Sequence, residues 1–327
     1  MPLLQAKGLS VTIPTIDGPL QVIKDINFSL NRGDRLGIVG ESGCGKSITA
    51  LTLMSLLPPK SKISGNVQLD GIDLLKQSYR QMCSIRGRRI SMIFQEPMTA
   101  LNPVKTIGDQ LSESLTLHFK LDKSECRKRI LELLDRVGLP EPRFPLNLYP
   151  HQLSGGQRQR VMIAMAIACE PDVLIADEPT TALDVTVQDQ ILKLISELAD
   201  NSGMALVMIS HDLGVIAQTT ENVIVMYTGR IMEQGKTIDV FKKMGHPYSL
   251  GLFSAIPRPG SSKTVGKRRL PSIPGQVPNL HQLPKGCTFA DRCSFASEQC
   301  SQNDPPPVEI SPGHTAWCFH PVLNERD

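Results

Sequence analysis

Short apolar runs recur along the chain, separated by longer stretches in which apolar residues repeat with the spacing of an α-helix. The runs are rich in Val and Ile, and we predict that each one is a strand. They are "RLGIVG" at 35–40, "DVLIAD" at 172–177, "ALVMIS" at 205–210 and "NVIVMY" at 222–227. Continuously apolar strands are typical of a sheet that is covered on both faces. The pattern therefore predicts an α/β fold.

Two other patterns predict elements outside this sheet. Residues 11–30 alternate around a Gly-Pro pair, as in a β-hairpin. In "SECRKRILELLDRVGL" (124–139) apolar residues fall on one helical face, and Gly138 is placed to end that helix. After Tyr248 the chain becomes rich in Pro, Gly, Ser and basic residues, which is typical of an extended connection without its own core.

The composition is that of an ordinary soluble globular protein: 327 residues, 40% hydrophobic, 20% charged, with a formal net charge of +3. Basic and acidic residues are interleaved, so we predict no nucleic-acid partner. The longest apolar run, Val161 to Cys169, is too short to span a membrane, and the N-terminus lacks a signal-peptide pattern. We expect a cytosolic protein, whose clustered cysteines would bind metal or act in redox chemistry rather than form disulfides.

The stretch "GESGCGKS" matches the phosphate-loop pattern G-x-x-x-x-G-K-[ST], between a predicted strand and a predicted helix. Glycines let the main chain wrap around phosphates, and the helix N-terminus adds partial positive charge. We expect Lys46 to reach the β- and γ-phosphates and Ser47 to coordinate Mg²⁺. The residues predicted to contact the nucleotide, called the phosphate loop from here on, are Gly40, Glu41, Ser42, Gly43, Cys44, Gly45, Lys46 and Ser47.

Cys44 is placed inside this loop beside Lys46 and a helix N-terminus. Such surroundings favour the thiolate. We therefore expect alkylation of Cys44 to block ATP binding.

An acidic pair follows the run "DVLIA". Ligands of such sheets bind at the carboxyl ends of the strands, where this pair is predicted to lie. We expect Asp177 to hold Mg²⁺ and Glu178 to act as the general base for an attacking water. Together with the phosphate loop, the pair predicts hydrolysis of a nucleoside triphosphate.

The stretch "LSGGQRQR" (153–160) resembles the signature of the ATP-binding cassette (ABC) ATPases. Gln95 in "IFQEP", "TALD" at 181–184 and His211 in "ISHD" match that family's other motifs in order. The resemblance implies an ABC-type P-loop NTPase: a RecA-like core with an antiparallel β subdomain and a helical subdomain. The nucleotide-binding domain would cover residues 1–245, with the helical subdomain at about 96–158.

The resemblance also implies that two cassettes meet head to tail, with each ATP between one phosphate loop and the partner's signature. Gln95 would sense Mg²⁺ and the attacking water, His211 would hold the γ-phosphate, and Asp184 would lie at the dimer seam. Many family members stack an aromatic residue on adenine. In this sequence Ile16 stands in that region instead, and we expect it to contact adenine through apolar surface. The signature residues that would contact the partner's ATP are Ser154, Gly155, Gly156 and Gln157.

Further motifs narrow the resemblance within the family. Translation members carry two cassettes and repair members carry long coiled coils, and neither feature is present. "FQEPMTALNP" and "HPYSLGLFSAIP" (246–257) resemble the ATP-binding subunits of bacterial dipeptide and oligopeptide importers, the dipeptide branch in particular. This implies a peripheral protein at the cytoplasmic face of the inner membrane. Its partners would be a paralogous ATPase subunit, two membrane permeases and an extracytoplasmic peptide-binding protein.

Other functions stay open on the sequence alone. The same scaffold carries nickel, glutathione or antimicrobial peptides in relatives. A non-transport ABC ATPase is a further alternative. An iron–sulfur redox or sensor protein with a vestigial cassette is disfavoured, because every hydrolytic motif is present.

Four cysteines gather in a C-terminal extension, residues 246–327: Cys287, Cys293, Cys300 and Cys318. Their spacing lacks the C-x2-C knuckles typical of structural zinc. The spacing and the resemblance favour a [4Fe–4S] cluster, with zinc or an unliganded or oxidised tail as alternatives. His314 and His320 flank Cys318 and are alternative ligands, but we interpret each of them as solvent-facing or as supporting the ligands.

Overall fold

The computed structural model describes residues 1–181, 183–255, 272–322 and 324–325. Ala182 of the "TALD" motif lies outside these residues, as does most of the Pro-rich connection predicted after Tyr248.

The strands, numbered in chain order, are β1 Leu4–Thr15, β2 Gly18–Leu30, β3 Arg35–Val39, β4 Lys62–Leu69, β5 Ile72–Asp73, β6 Ile90–Ile93, β7 Val173–Asp177, β8 Ala205–Ile209, β9 Asn222–Tyr227, β10 Arg230–Lys236, β11 Lys243–Met244, β12 Pro307–Ser311, β13 His314–Trp317 and β14 Asn324–Glu325.

The helices are α1 Lys46–Leu53, α2 Tyr79–Ile85, α3 Pro97–Ala100, α4 Ile107–Phe119, α5 Lys123–Arg136, α6 Gly155–Ile167, α7 Val185–Ser202, α8 Leu213–Thr219, α9 Thr237–Lys242, α10 Pro247–Ser254 and α11 Glu298–Gln302.

A first sheet has the strand order β2-β1-β4-β5 and is antiparallel. The predicted hairpin is its core: Leu4 pairs with Leu30, and Thr15 pairs with Gly18 at the turn. Its buried face includes Leu4, Leu9 and Ile23, which are fully shielded from solvent. This sheet is the expected antiparallel β subdomain.

A second, central sheet has the order β12-β13-β10-β9-β3-β8-β7-β6. Within it, β3 is parallel to β8 and β9, and β7 is parallel to β6 and β8. The four apolar runs form β3, β7, β8 and β9, as predicted. Because parallel strands end at the same edge of a sheet, the segments that follow β3, β6, β7 and β8 are brought to one edge.

Helices α4, α5 and α6 pack together in the region predicted as the helical subdomain. In α5, Ile130, Leu133 and Leu134 are buried, as the periodicity predicts. Gly138 follows with φ 73°, a backbone conformation that glycine adopts without strain and that ends the helix.

The C-terminal extension continues the central sheet. The hairpin β12–β13 pairs with β10 through Glu233 opposite Ala316 and Gln234 opposite Thr315. Residues 287–300 pack against the main hydrophobic core through Cys287, Phe289 and Cys300. The domain boundary at 245/246 stays a prediction.

None of the helices in the described part of the chain combines the length and apolar character that a bilayer-crossing helix needs.

Candidate ATP site

The phosphate loop connects β3 to α1 at the carboxyl edge of the central sheet. Gly40, Gly43 and Gly45 have φ of 154°, 79° and 103°. A Cβ atom on Gly40 would lie 2.1 Å from the carbonyl oxygen of Met226, and one on Gly45 would lie 2.7 Å from Ile23 Cδ1. Glycine is therefore required at these two positions by both conformation and space.

Lys46 begins α1 and is 5% exposed. Its Nζ donates hydrogen bonds to the carbonyl oxygens of Gly40 at 2.8 Å and Glu41 at 3.2 Å. These neutral acceptors hold the ammonium group over the loop. A polyphosphate would bind it more strongly, because the hydrogen bonds would then be charge-assisted on both sides.

The expectation of a thiolate at Cys44 is wrong. Cys44 is 1% exposed, and its Sγ lies beneath the loop, where a Cβ on Gly40 would meet it at 2.7 Å. Burial raises the pKa of the Cys44 thiol, and this outweighs the opposing effect of Lys46. The side chain is a packing element, so an alkylating reagent has no exposed thiolate to attack.

Asp177 ends β7 and is 3% exposed. Burial raises the pKa of its carboxyl group, whereas a hydrogen bond from Ser47 acts in the opposite direction. Among the described residues, its Oδ1 has no hydrogen-bond partner. A buried carboxylate oxygen without a partner, next to a serine hydroxyl, fits a hard cation such as Mg²⁺. Gln95, the third predicted Mg²⁺ contact, instead bonds to Glu178.

Glu178 lies at the centre of a polar cluster. Gln95 Nε2 donates to its Oε2 at 3.1 Å, and Thr181 Oγ1 donates to the same oxygen at 3.1 Å. His211 Nδ1 lies 3.2 Å from that oxygen. The structure thus brings together the three side chains predicted to be catalytic. The carboxylate is largely buried while the imidazole is exposed, an arrangement suited to accepting a proton from a water at the cleft surface.

The signature turn, residues 153–157, begins α6. Ser154 Oγ accepts a hydrogen bond from Gln157 N–H at 3.3 Å, and Gln157 Oε1 accepts one from Ser154 N–H at 2.9 Å. This reciprocal capping box fixes the start of the helix. Ser154 and Gly155 are exposed, so the helix N-terminus faces solvent. Such an end attracts an anion supplied from outside the chain.

The remaining predicted contacts lie at exposed positions. Asp184 caps α7 by accepting a hydrogen bond from Val187 N–H at 3.0 Å. Ile16 lies in the β1–β2 turn with its side chain fully exposed. The roles predicted for Asp184 at a dimer seam and for Ile16 at adenine stay predictions.

The four cysteines of the C-terminal extension line one small cavity, together with aromatic side chains such as Phe289 and Phe295. Burial, together with the other three cysteines, raises the pKa of Cys318 to about 12. In residues 1–181, 183–255, 272–322 and 324–325, no three His, Cys, Asp or Glu side chains are arranged to hold a metal ion. The prediction of a metal centre is therefore not confirmed.

The interpretation of His314 as solvent-facing or ligand-supporting is wrong. His314 is fully buried, and its Nε2 donates to Glu233 Oε1 at 2.6 Å. Glu233 is also fully buried and accepts hydrogen bonds from the N–H groups of Gly245 at 2.6 Å and His246 at 3.0 Å. This carboxylate ties β13 of the C-terminal extension to the start of α10. His320, by contrast, lies with Nε2 2.7 Å from Ser297 Oγ.

Sequence reasoning missed Glu233, and it missed the contact between Arg292 and Glu41 of the phosphate loop, at 2.6 Å and 3.1 Å. No local pattern indicates either one, because each contact joins residues far apart in the chain.

Comparisons with known proteins agree with this site. A family model described as "ABC transporter" matches residues 23–181, and one described as "Oligopeptide/dipeptide transporter, C-terminal region" matches residues 232–300. The oligopeptide transport ATP-binding protein OppD of Salmonella typhimurium is 50% identical over 98% of this chain and 94% of its own length. A putative peptide import ATP-binding protein of Brucella ovis is 46% identical, covering 97% of each chain.

Solved structures share the fold. A dimeric post-hydrolysis state of the ATP-binding cassette MJ0796, bound to ADP and Pi, has a TM-score of 0.64 and 31% sequence identity. The match covers 72% of this chain and 98% of that one.

The fold and the site define an ABC ATPase, which binds and hydrolyses ATP. The chain belongs to the family of ATP-binding subunits of oligopeptide and dipeptide ABC transporters.

Proposed function

We propose that this protein energises a peptide importer by hydrolysing ATP at the carboxyl edge of its central sheet. The observation that carries the proposal is the convergence of the phosphate loop, Asp177 and the Glu178 cluster at that edge. Each part has a separate chemical task, and together they satisfy the needs of phosphoryl transfer to water.

In the proposed mechanism, Lys46 exchanges the carbonyl oxygens of Gly40 and Glu41 for the β- and γ-phosphates. Ser47 and Asp177 would hold Mg²⁺, which when bound would neutralise phosphate charge. Glu178 accepts a proton from water as the water oxygen bonds to the γ-phosphorus. The bond from that phosphorus to the β–γ bridging oxygen breaks, leaving ADP and inorganic phosphate. Gln95 orients the carboxylate and the water, and His211 beside that carboxylate would hold the γ-phosphate.

A dimer completes the site in this proposal. The signature turn is exposed and preformed by its capping box, so it offers a helix N-terminus to the ATP of a partner. The dimeric MJ0796 structures, at 31% identity, support this arrangement. Asp184 would lie at the seam, Ile16 would contact adenine, and the partner would be a paralogous ATPase subunit.

Peptide import follows from the relatives that share nearly the full chain. We infer that two membrane permeases and an extracytoplasmic peptide-binding protein complete the transporter, with this subunit bound peripherally at the cytoplasmic face of the inner membrane. Nickel, glutathione and antimicrobial peptides are the alternative cargoes. Uptake of labelled peptides by cells with and without the subunit tests this: loss of peptide uptake supports the proposal, and loss of nickel or glutathione uptake alone contradicts it.

The catalytic assignment is tested by Glu178→Gln. The amide preserves shape but cannot accept the proton, so hydrolysis should fall by roughly a hundredfold or more while ATP still binds. The variant should accumulate as an ATP-bound dimer in size-exclusion chromatography. Asp189→Asn, an exposed acidic residue on α7, is the matched control. Normal hydrolysis by Glu178→Gln would show that another group is the base.

We further propose that Cys287, Cys293, Cys300 and Cys318 hold a [4Fe–4S] cluster. Support comes from their position around one cavity, since cluster ligands surround several metal atoms rather than one ion. When bound, the cluster would stabilise a segment poor in apolar residues. Iron, sulfide and zinc analysis of anaerobically purified protein tests this. Four iron and four sulfide per chain, as in such a cluster, support it; one zinc or no metal contradicts it.

A further inference from the structure

The phosphate loop is anchored at Glu41 by two side chains that follow it by 207 and 251 residues. Tyr248 Oη accepts a hydrogen bond from the main-chain N–H of Glu41 at 2.8 Å. Arg292 donates from Nη1 and Nη2 to the two carboxylate oxygens of Glu41 at 2.6 Å and 3.1 Å. The carbonyl of Glu41 in turn accepts a hydrogen bond from Lys46. Glu41 thus connects the C-terminal extension to the lysine of the ATP site.

Arg292 is also held by contacts outside the phosphate loop. It is 7% exposed, its Nε donates to the carbonyl oxygen of Pro274 at 2.9 Å, and its Nη1 lies 3.2 Å from Tyr227 Oη. Its guanidinium carbon lies 5.7 Å from the ring centre of Tyr227 and 5.9 Å from that of Phe289. A planar fork fixed in this way sets both the distance and the orientation of the carboxylate it binds.

Tyr248 belongs to the same packed group. It is fully buried, with its ring centre 4.7 Å from that of Tyr227 and 5.3 Å from that of Phe289. The two anchors of Glu41 therefore share their supporting rings, and neither can shift without disturbing the other.

We propose that Arg292 and Tyr248 are positioning residues for ATP, which makes the C-terminal extension part of the nucleotide-binding machinery. The phosphate loop contains three glycines at positive φ, and such a segment loses much conformational freedom when it closes on a ligand. Anchoring Glu41 orders the loop beforehand, which lowers the cost of binding. Arg292 also neutralises a carboxylate that would otherwise repel the polyphosphate. The proposal rests on the proposed ATP site.

The decisive variant is Arg292→Met, which keeps the length of the side chain but removes the fork. The dissociation constant of a fluorescent ATP analogue for the full chain should rise about tenfold, the size expected for losing a charge-assisted pair. KM for ATP should rise with it, and kcat should stay within about twofold, because Glu178 is untouched. Tyr248→Phe should raise the dissociation constant about threefold. Arg292→Lys should lie between wild type and Arg292→Met.

A double-variant cycle shows whether the effect passes through Glu41. In a Glu41→Gln background the carboxylate is absent, so Arg292→Met should change the dissociation constant less than twofold. A full tenfold effect in that background would overturn the proposal, since Arg292 would then act elsewhere.

Two further variants separate other outcomes. Asp304→Asn breaks the ion pairs with Lys24 and Arg230 that also join the extension to the core, away from the phosphate loop. It should leave ATP affinity unchanged; a loss equal to that of Arg292→Met would mean general loosening and would overturn the proposal.

Lys46→Ala checks the ATP site itself, and normal ATP binding by that variant would refute the site. If Lys46→Ala loses ATP while Arg292→Met binds like wild type, only the positioning role fails. If Arg292→Met does not fold, the dissociation constants of Arg292→Lys and Tyr248→Phe test the positioning role instead, and wild-type values for both would overturn it.

Discussion

The phosphate loop and the signature turn are both glycine-rich, and both lead into a helix whose N-terminus attracts anions, yet their surroundings differ. The phosphate loop lies against β9 and the first hairpin, and its lysine is 5% exposed. The signature turn is held by its own capping box, and Ser154 and Gly155 face solvent. The two turns thus have similar local chemistry, but the fold packs around one of them and leaves the other open.

In the proposed dimer, this difference would let one chain bind ATP by itself and still depend on a partner for hydrolysis. A surrounded loop can bind a ligand by itself, since its groups are already ordered and partly desolvated. An exposed helix end binds an anion weakly in water and gains strength only when a second surface excludes solvent. Most of the predictions change one of the two turns and leave the other intact.

The largest expected effect is on the phosphate loop itself. Lys46→Ala removes the buried ammonium group, so ATP binding by the isolated chain should be lost, and hydrolysis with it. Lys105→Ala removes an exposed lysine that pairs with Glu113 and is the matched control. Equilibrium binding of a fluorescent ATP analogue measures both. If Lys46→Ala kept its ATP affinity, the phosphate loop would not be the turn that binds ATP in the isolated chain.

The next effect is on the signature turn. A Cβ on Gly155 would lie 3.6 Å from Leu183, an ordinary contact, so Gly155→Asp should fold. Its carboxylate would face the partner's ATP, and hydrolysis should fall by roughly a hundredfold. ATP affinity of the isolated chain should stay unchanged.

Gly156 offers the packing control, because its Cβ would lie 3.0 Å from Val187 Cγ1. Gly156→Ala should therefore lower the thermal-unfolding midpoint, whereas Gly155→Asp should not. Loss of ATP binding in the isolated Gly155→Asp chain would show that the signature turn serves its own nucleotide.

A smaller effect is expected when acid lowers the free energy of unfolding through His246, in the C-terminal extension. His246 is buried and caps α10, and burial lowers its pKa from 6.5 to about 3. Between these values the unfolded chain binds a proton that the folded chain excludes, so the free energy of unfolding falls as pH falls. From this group alone, the loss at pH 5 is about 2 kcal/mol. Urea unfolding at pH 7.5 and pH 5 measures it.

His246→Asn isolates this contribution. Asparagine can cap the helix as well as histidine but does not titrate. The variant should lose about 2 kcal/mol less stability between pH 7.5 and pH 5 than the wild type does. Equal acid sensitivity of the two proteins would assign the effect to other groups.

The smallest effect concerns the cap of the signature turn. Ser154→Ala removes the acceptor for Gln157 N–H and should lower the free energy of unfolding by about 1 kcal/mol. Thermal unfolding measures it. ATP affinity of the isolated chain should stay at the wild-type value, and a clear drop would mean that the two turns are coupled within one chain.

Sequence alone predicted the fold and most of the candidate site, for a physical reason. A phosphate loop is formed by eight consecutive residues, so its glycines and lysine can be recognised from a short stretch of sequence. The apolar runs mark buried strands in the same way, and two of these strands lead to Glu178 and His211 at one edge of the sheet. Gln95 follows β6, a strand that is not among the predicted runs.

The errors concern residues whose surroundings come from distant parts of the chain. Cys44 lies beside Lys46 in sequence, but its side chain is turned beneath Gly40, so burial outweighs the neighbouring charge. His314 lies in a polar, Pro-rich segment and becomes buried only because β13 pairs with β10. The contact of Arg292 with Glu41 spans 251 residues, and no local pattern records it.

The pairing of β13 with β10 has a consequence for experiments that remove residues 246–327. Without β13, the edge of β10 at Glu233 and Gln234 would lose its neighbouring strand and become an open strand edge, which favours pairing between molecules. The buried Glu233 carboxylate would lose His314 as well. A shortened protein would therefore tend to aggregate, and its inactivity would say nothing about what the cysteines do. Point substitutions at the cysteines are the informative route.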